Sequence, residues 1–217
     1  MPPGSEKASG KSMLKNRQAL IPYLLLVAAL AGGLLWHESE MVPGLGRSVV
    51  TGRADVGGPF RLTDHNGKSV SEADFRGRYM LIYFGYSFCP DVCPTTLGVM
   101  AQALEKLGPG RARRVVPIFI TIDPERDTPK VLADYMKAFG PSFVGLTGSV
   151  AAIKDVEKKY RVYAVKKPLD SSKGSGGAYG VDHSSVLYLM GPDGKLVSFY
   201  DEIISPDDLA KDLKQKI

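Results

Sequence analysis

The chain holds two cysteines, Cys89 and Cys93, four residues apart in the segment FGYSFCPDVCPTTL. An apolar run, YMLIYFGY over residues 79–86, precedes them, and a stretch with helical spacing follows. Open α/β sheets take their ligands beyond the carboxyl ends of strands. A helix N-terminus also favours thiolate over thiol, so position alone predicts reactive sulfurs. If the segment is helical, a spacing of four sets both sulfurs on one face, one turn apart. There they could close a disulfide or grip one ion. A packed or permanently oxidised pair is the plainer alternative, but a disulfide across so short a ring restricts the unfolded chain little. A four-cysteine zinc site is excluded by the count. Two thiolates alone are incomplete for most metals, so a third ligand would have to come from the three histidines. His37 borders an apolar run and His65 stands beside Asn66-Gly67, where solvation explains both. His183 lies in VDHSS, at the mouth of a strand and after a Gly- and Ser-rich stretch from Lys167 to Gly180. A mobile loop there could swing a ligand in and out; a structural histidine remains the alternative.

Several elements must position these residues. Residues 79–86 read as a strand buried on both faces. Leu97, Met100, Ala101, Leu104 and Leu107 recur with helical period. Val115 to Ile122 is a second buried strand. Thr128-Pro129 opens a helix that ends near Phe139-Gly140, Ser149 caps another over residues 149–160, and Ser205-Pro206 caps a last one to about residue 216. Phe60 to Thr63 and Ser69-Val70 flank an Asn66-Gly67 hairpin turn. Ser185 to Met190 and Leu196 to Tyr200 form a second hairpin around Pro192-Asp193-Gly194. The order predicts an α/β domain with a mixed sheet, parallel in the middle and antiparallel at one edge, flanked by helices.

Ahead of this domain, residues 1–18 are polar and are expected to form a disordered tail. Ala19 to Trp36 is an uncharged apolar run of 18 residues. As a helix it measures about 27 Å, enough to span a hydrocarbon core of about 30 Å. Lys7, Lys11, Lys15 and Arg17 precede it and predict a cytoplasmic N-terminus, with the domain in the periplasm or another extracytoplasmic space. Cleavage at Ala29-Leu30-Ala31 is the rival, but the apolar run continues past it. Residues 37–58 read as a linker and residues 59–217 as one domain.

Composition narrows the classes further. With 217 residues, 44% hydrophobic and 24% charged, the chain is an ordinary globular protein plus an appendage. The formal net charge of +5 has no dense basic face behind it, so nucleic-acid binding is not expected. Gly67-Lys68-Ser69 resembles the end of a phosphate loop, but the glycine required at position 62 is a leucine. Asp123, Glu125 and Asp127 are expected to cap the following helix and pair at the surface. Tyr83, Phe84, Tyr86 and Phe88 are expected to line the core and the site.

FGYSFCPDVCPTTL, TIDPERDTP and VDHSSVLYLMGPDGKL together resemble the Sco/SenC family over about residues 50–217. The resemblance implies a thioredoxin-like fold with an N-terminal hairpin, a single N-terminal transmembrane helix, and copper, Cu(I) or Cu(II), held by Cys89, Cys93 and His183. Soft thiolates with one imidazole suit that metal, although zinc fits the same ligands. Asp91 and Asp182 are candidates to orient the ligands. The family implies a membrane-anchored metallochaperone of the inner membrane, with thiol–disulfide reductase activity left open. It would deliver copper to the dinuclear centre of cytochrome c oxidase subunit II, reduce that centre's cysteines, or both, with another periplasmic copper chaperone or thiol reductase as a further partner. In this family the TIDPERDTP loop borders the copper site, which implies a shaping role here. The competing reading is a thiol–disulfide oxidoreductase of the thioredoxin superfamily with Cys89 and Cys93 as its catalytic redox pair. The extra residue between the cysteines departs from that class's C-x-x-C.

Overall fold

The computed structural model describes residues 56–168 and 179–217. The expected tail, apolar span and most of the linker lie outside the described residues. Among the described residues no helix is long and apolar enough to cross a membrane.

Strands β1 (Arg61–Asp64) and β2 (Ser69–Ser71) form the first hairpin. Its turn uses Gly67 at φ 82°, a conformation that costs a glycine nothing. A short 3-10 turn (Glu72–Phe75) leads to β3 (Tyr79–Gly85), whose residues from Met80 onward are all buried. Helices α1 (Val92–Leu107) and α2 (Pro109–Ala112) precede the fully buried β4 (Val115–Thr121). Then come α3 (Pro129–Met136), β5 (Val144–Thr147) and α4 (Val150–Tyr160). The ribbon strands β6 (Ala164–Pro168) and β7 (Tyr179–His183) follow, then β8 (Val186–Met190), β9 (Leu196–Asp201) and α5 (Pro206–Lys216).

Seven strands make one sheet in the order β2-β1-β5-β4-β3-β8-β9. β3, β4 and β5 run parallel, which places the carboxyl end of each at one edge. β1 and β8 are antiparallel to their neighbours β5 and β3. The sheet is therefore antiparallel at both edges, where the sequence reading expected one. The difference arises from β5, a four-residue strand containing Gly145, too short to read from periodicity. Pro117 sits in β4 one residue before pairing with β5 begins at Ile118, where a missing N–H costs least. Burial on both faces of β3 and β4 requires helical cover, and α1 packs against α5 while α3 lies on β5.

The caps follow the sequence. Thr128, Ser149 and Ser205 accept from the amides of Val131, Ala152 and Asp208, with Pro129 and Pro206 at the first helical positions. The stretch expected as a loop up to Gly180 begins and ends as strand. β6 and β7 form a separate antiparallel ribbon in which Ala164 pairs with His183. Its charged, largely exposed residues hide the alternation that marks a strand.

Candidate metal centre

β3 ends at Gly85, and the chain turns at once, with the Cys89 amide donating to the Tyr86 carbonyl at 3.1 Å. Helix α1 begins at Val92, so Cys93 is its second residue while Cys89 precedes it. Only one of the cysteines is helical, unlike the one-turn arrangement expected. The two residues are still tied together, because the Cys93 amide donates to Cys89 Sγ at 3.5 Å. Asp91 holds the N-cap position, yet its carboxylate makes no capping bond. The Cys89 sulfur takes that place. Both cysteines are free thiols, Cys93 fully buried and Cys89 half-buried.

This position splits their acidities. The Cys93 thiol donating to it brings Cys89 down to about 5, aided by the Asp91 and Cys93 backbone amides and by His183, against the opposing effect of burial. Cys93 moves upward, because its proton is held toward Cys89 and because it is buried. One half-buried thiolate thus sits beside one buried thiol.

Cys93 reaches this place because residue 85 has no side chain. A Cβ there would lie 2.8 Å from Cys93 Sγ and 3.0 Å from Phe119. The Tyr83 hydroxyl approaches the same sulfur at 3.7 Å. His183, the last residue of β7, places Nε2 3.6 Å from Cys93 Sγ, while its Nδ1 lies 3.2 Å from the Ser184 carbonyl. A proton on Nδ1 satisfies that carbonyl and leaves the Nε2 lone pair facing the sulfur. Tyr83 and Tyr86 set their rings edge-on to the imidazole, with centroids 6.2 and 6.0 Å away. Metal–sulfur and metal–nitrogen bonds of about 2.3 and 2.0 Å hold their two ligand atoms about 3.5–3.7 Å apart at tetrahedral or trigonal angles. The Cys93–His183 separation is already one edge of such a polyhedron. Among the described residues no three His, Cys, Asp or Glu side chains form a closed cage, so Cys89 would complete the set by adjustment of its turn.

The SCO1/SenC family model matches residues 49–217. This chain belongs to that family. It is 43% identical to the protein sco1 of Schizosaccharomyces pombe over 195 residues, which cover 87% of this chain and 73% of that one. Among solved structures, Bradyrhizobium japonicum ScoI with copper bound is 44% identical, with a TM-score of 0.68 over 75% of this chain and 99% of that one. BsSco, described as a member of the Sco family of cytochrome c oxidase assembly proteins with a disulfide switch, is 28% identical, with a TM-score of 0.59 over 79% of this chain and 96% of that one. The shared fold is the thioredoxin-like α/β arrangement with a central mixed sheet.

The remaining candidates sit in different surroundings within this Sco domain. Asp91 is exposed and reaches Cys89 through its backbone amide. Asp182 alternates outward from His183 on β7, and its carboxylate pairs with Lys167. His65 is not simply solvated: its Nδ1 accepts from the Gly145 amide at 3.0 Å. His37 lies outside the described residues. Phe88 is 57% exposed and belongs to the surface, unlike the buried Tyr83, Phe84 and Tyr86.

Asp123 and Asp127, expected as caps and surface partners, are both fully buried. Asp127 accepts from the Ser87 amide at 3.0 Å, from the Ser87 hydroxyl, and from the Thr121 hydroxyl at 2.6 Å, which ties the cysteine turn to β4. Asp123 bonds the Arg126 side chain and accepts from the Tyr179 hydroxyl at 2.9 Å. Gly85 and Tyr179 carry no signal of their own in the sequence. Arg126 and Asp127 lie in the TIDPERDTP loop that the family resemblance sets beside the site, but residue type alone reads its acids equally well as helix caps.

Proposed function

We propose that this Sco protein binds one copper ion through Cys89, Cys93 and His183 and serves in the assembly of a cytochrome c oxidase. The observation that supports this best is the approach of the His183 imidazole to Cys93 Sγ, 3.6 Å across a 90-residue separation, beside a second sulfur at the same helix terminus. Two thiolates and an imidazole form a soft donor set matched to copper. Three protein ligands leave room for a partner's ligand to attack, which suits transfer better than storage. The copper named in the Bradyrhizobium structure points the same way. In this reading residues 19–36 anchor the chain in the inner membrane, 1–18 stay cytoplasmic, 37–58 link, and 59–217 present the site in the periplasm. The partner is cytochrome c oxidase subunit II, whose dinuclear copper centre receives copper from this site or has its cysteines reduced by it. Asp91 supports the Cys89 sulfur through its own backbone amide, and Asp182 pairs with Lys167 on the strand that ends in His183. The test is metal analysis and spectroscopy on the reduced full-length chain. One copper per monomer is expected, lost in Cys89→Ser and in Cys93→Ser. If His183→Ala leaves Cu(II) binding and its sulfur-to-copper absorption unchanged, the three-ligand site is wrong.

A second reading, thiol–disulfide exchange without metal, draws on the depressed, half-exposed Cys89 thiol beside a buried partner. Such a thiol attacks a disulfide, and Cys93 then resolves the mixed disulfide. Rapid insulin reduction by the metal-free chain supports this reading; turnover no faster than that of a small thiol removes it.

A further inference from the structure

The two halves of the centre come from separate pieces of structure. Cys89 and Cys93 belong to the turn after β3 and the start of α1, and His183 ends the β6–β7 ribbon. An isolated two-stranded ribbon is marginal in water, so this one must be docked to hold its histidine in place. Val181 seats the middle of β7 in the core, and a second contact runs through the loop between β4 and α3. There the Arg126 guanidinium lies 3.8 Å from the centre of the Tyr179 ring and 4.9 Å from that of Phe88, with the Tyr86 ring 5.6 Å away. Its Nη1 donates to the Tyr179 carbonyl at 3.1 Å, its Nε bonds the buried Asp123 carboxylate, and its buried Nη2 has no hydrogen-bond partner. Tyr179 opens the strand that His183 closes. Phe88 immediately precedes Cys89, and Tyr86 sets its ring edge against the His183 imidazole. One cation therefore touches the thiol turn on one side and the histidine ribbon on the other.

We propose that Arg126 is a positioning residue that couples the two halves of the centre, holding His183 over the thiol pair by stacking between Phe88 and Tyr179. A planar guanidinium can stack on rings and donate in its own plane at once; an ammonium cannot. Losing the stacking leaves a site with two thiols and a detached imidazole. Lys166 adds to the docking, pairing with Glu125 and lying 4.7 Å from the Tyr179 ring, but it makes no contact with the thiol turn.

This inference rests on the three-ligand reading above, and its test separates the two. Arg126→Lys keeps the charge beside Asp123 but loses the stacking. Phe88→Ala removes only the thiol-side ring and, being largely exposed, endangers no core. In the metal-free full-length chain, amide hydrogen exchange over Tyr179–His183 should quicken at least fivefold in Arg126→Lys and by less in Phe88→Ala, with α5 unchanged. In loaded protein, both variants should lose at least tenfold in Cu(II) affinity and shift the sulfur-to-copper band toward that of His183→Ala. Cu(I) affinity should change in both variants in the direction that His183→Ala changes it. Ribbon exchange at the wild-type rate in Arg126→Lys overturns the proposal whatever the metal does. A wild-type band indifferent to His183→Ala instead sinks the three-ligand reading, and the exchange result still decides whether Arg126 docks the ribbon.

Discussion

At Cys89 the neighbouring Cys93 thiol, aided by the Asp91 and Cys93 amides, holds the side chain as a thiolate down to about pH 5. Its reaction with iodoacetamide in reduced, metal-free protein should stay near its plateau from neutrality down to about pH 6 and fall to half of it near pH 5. Cys93, buried and shifted the other way, should label at least tenfold more slowly at pH 7, as read by peptide mass spectrometry. Preferential labelling of Cys93 would reverse the assignment. Gly85 is the residue that lets Cys93 approach β3. The 2.8 Å gap to an added Cβ leaves Gly85→Ala no room, so the Cys93 sulfur must move off the strand. That variant should lose about 1–3 kcal/mol in urea unfolding and expose Cys93 to faster alkylation. Stability and Cys93 labelling both at wild-type values would show that the close approach is not needed.

The turn between β3 and α1 is held from beneath by Asp127. An amide keeps one acceptor oxygen where the carboxylate has two, so the donors on the other oxygen must turn or find new partners, and Asp127→Asn should cost about 1–3 kcal/mol. Burial, outweighing the bonds from Ser87 and Thr121, keeps this carboxyl above the usual carboxylate range. A raised folded value favours the protonated form, so this group's contribution to stability is lost as pH rises through it. The margin of wild type over Asp127→Asn should therefore shrink as the pH is raised from acid toward neutrality. A margin that widens with pH would contradict the burial argument. The elements themselves divide by how plainly they show in sequence. β3, β4 and the capped helices were readable because long apolar runs and Ser/Thr-Pro starts are local signals. β5 and the β6–β7 ribbon were not, since one is four residues long and the other carries lysines where alternation should show.

Across the molecule the thiol centre and the packing of α5 lie at opposite ends of β3. Gly85 ends the strand beside Cys93, while Tyr79 begins it and donates to the Lys216 carbonyl at 2.7 Å. Leu209 and Leu213 of α5 are fully buried. Truncating Leu213→Ala should lower stability by about 2–5 kcal/mol and leave Cys89 alkylation at its wild-type rate. Coupled loss of both would mean that the centre is not built on an independent end of the sheet.

From sequence alone come the pair of sulfurs at a strand-to-helix junction, their soft-metal or disulfide chemistry, the α/β class, and the family resemblance carried by three motifs. Those follow from residue types at short spacing and from apolar periodicity, which are local properties. Only the tertiary structure brings His183 to Cys93 across 90 residues, buries Asp123 and Asp127, and lays Arg126 between the thiol turn and the ribbon. These depend on which strand lies beside which. The β4–α3 loop sits next to the cysteine turn because β3 and β4 pair in parallel and end at the same edge of the sheet.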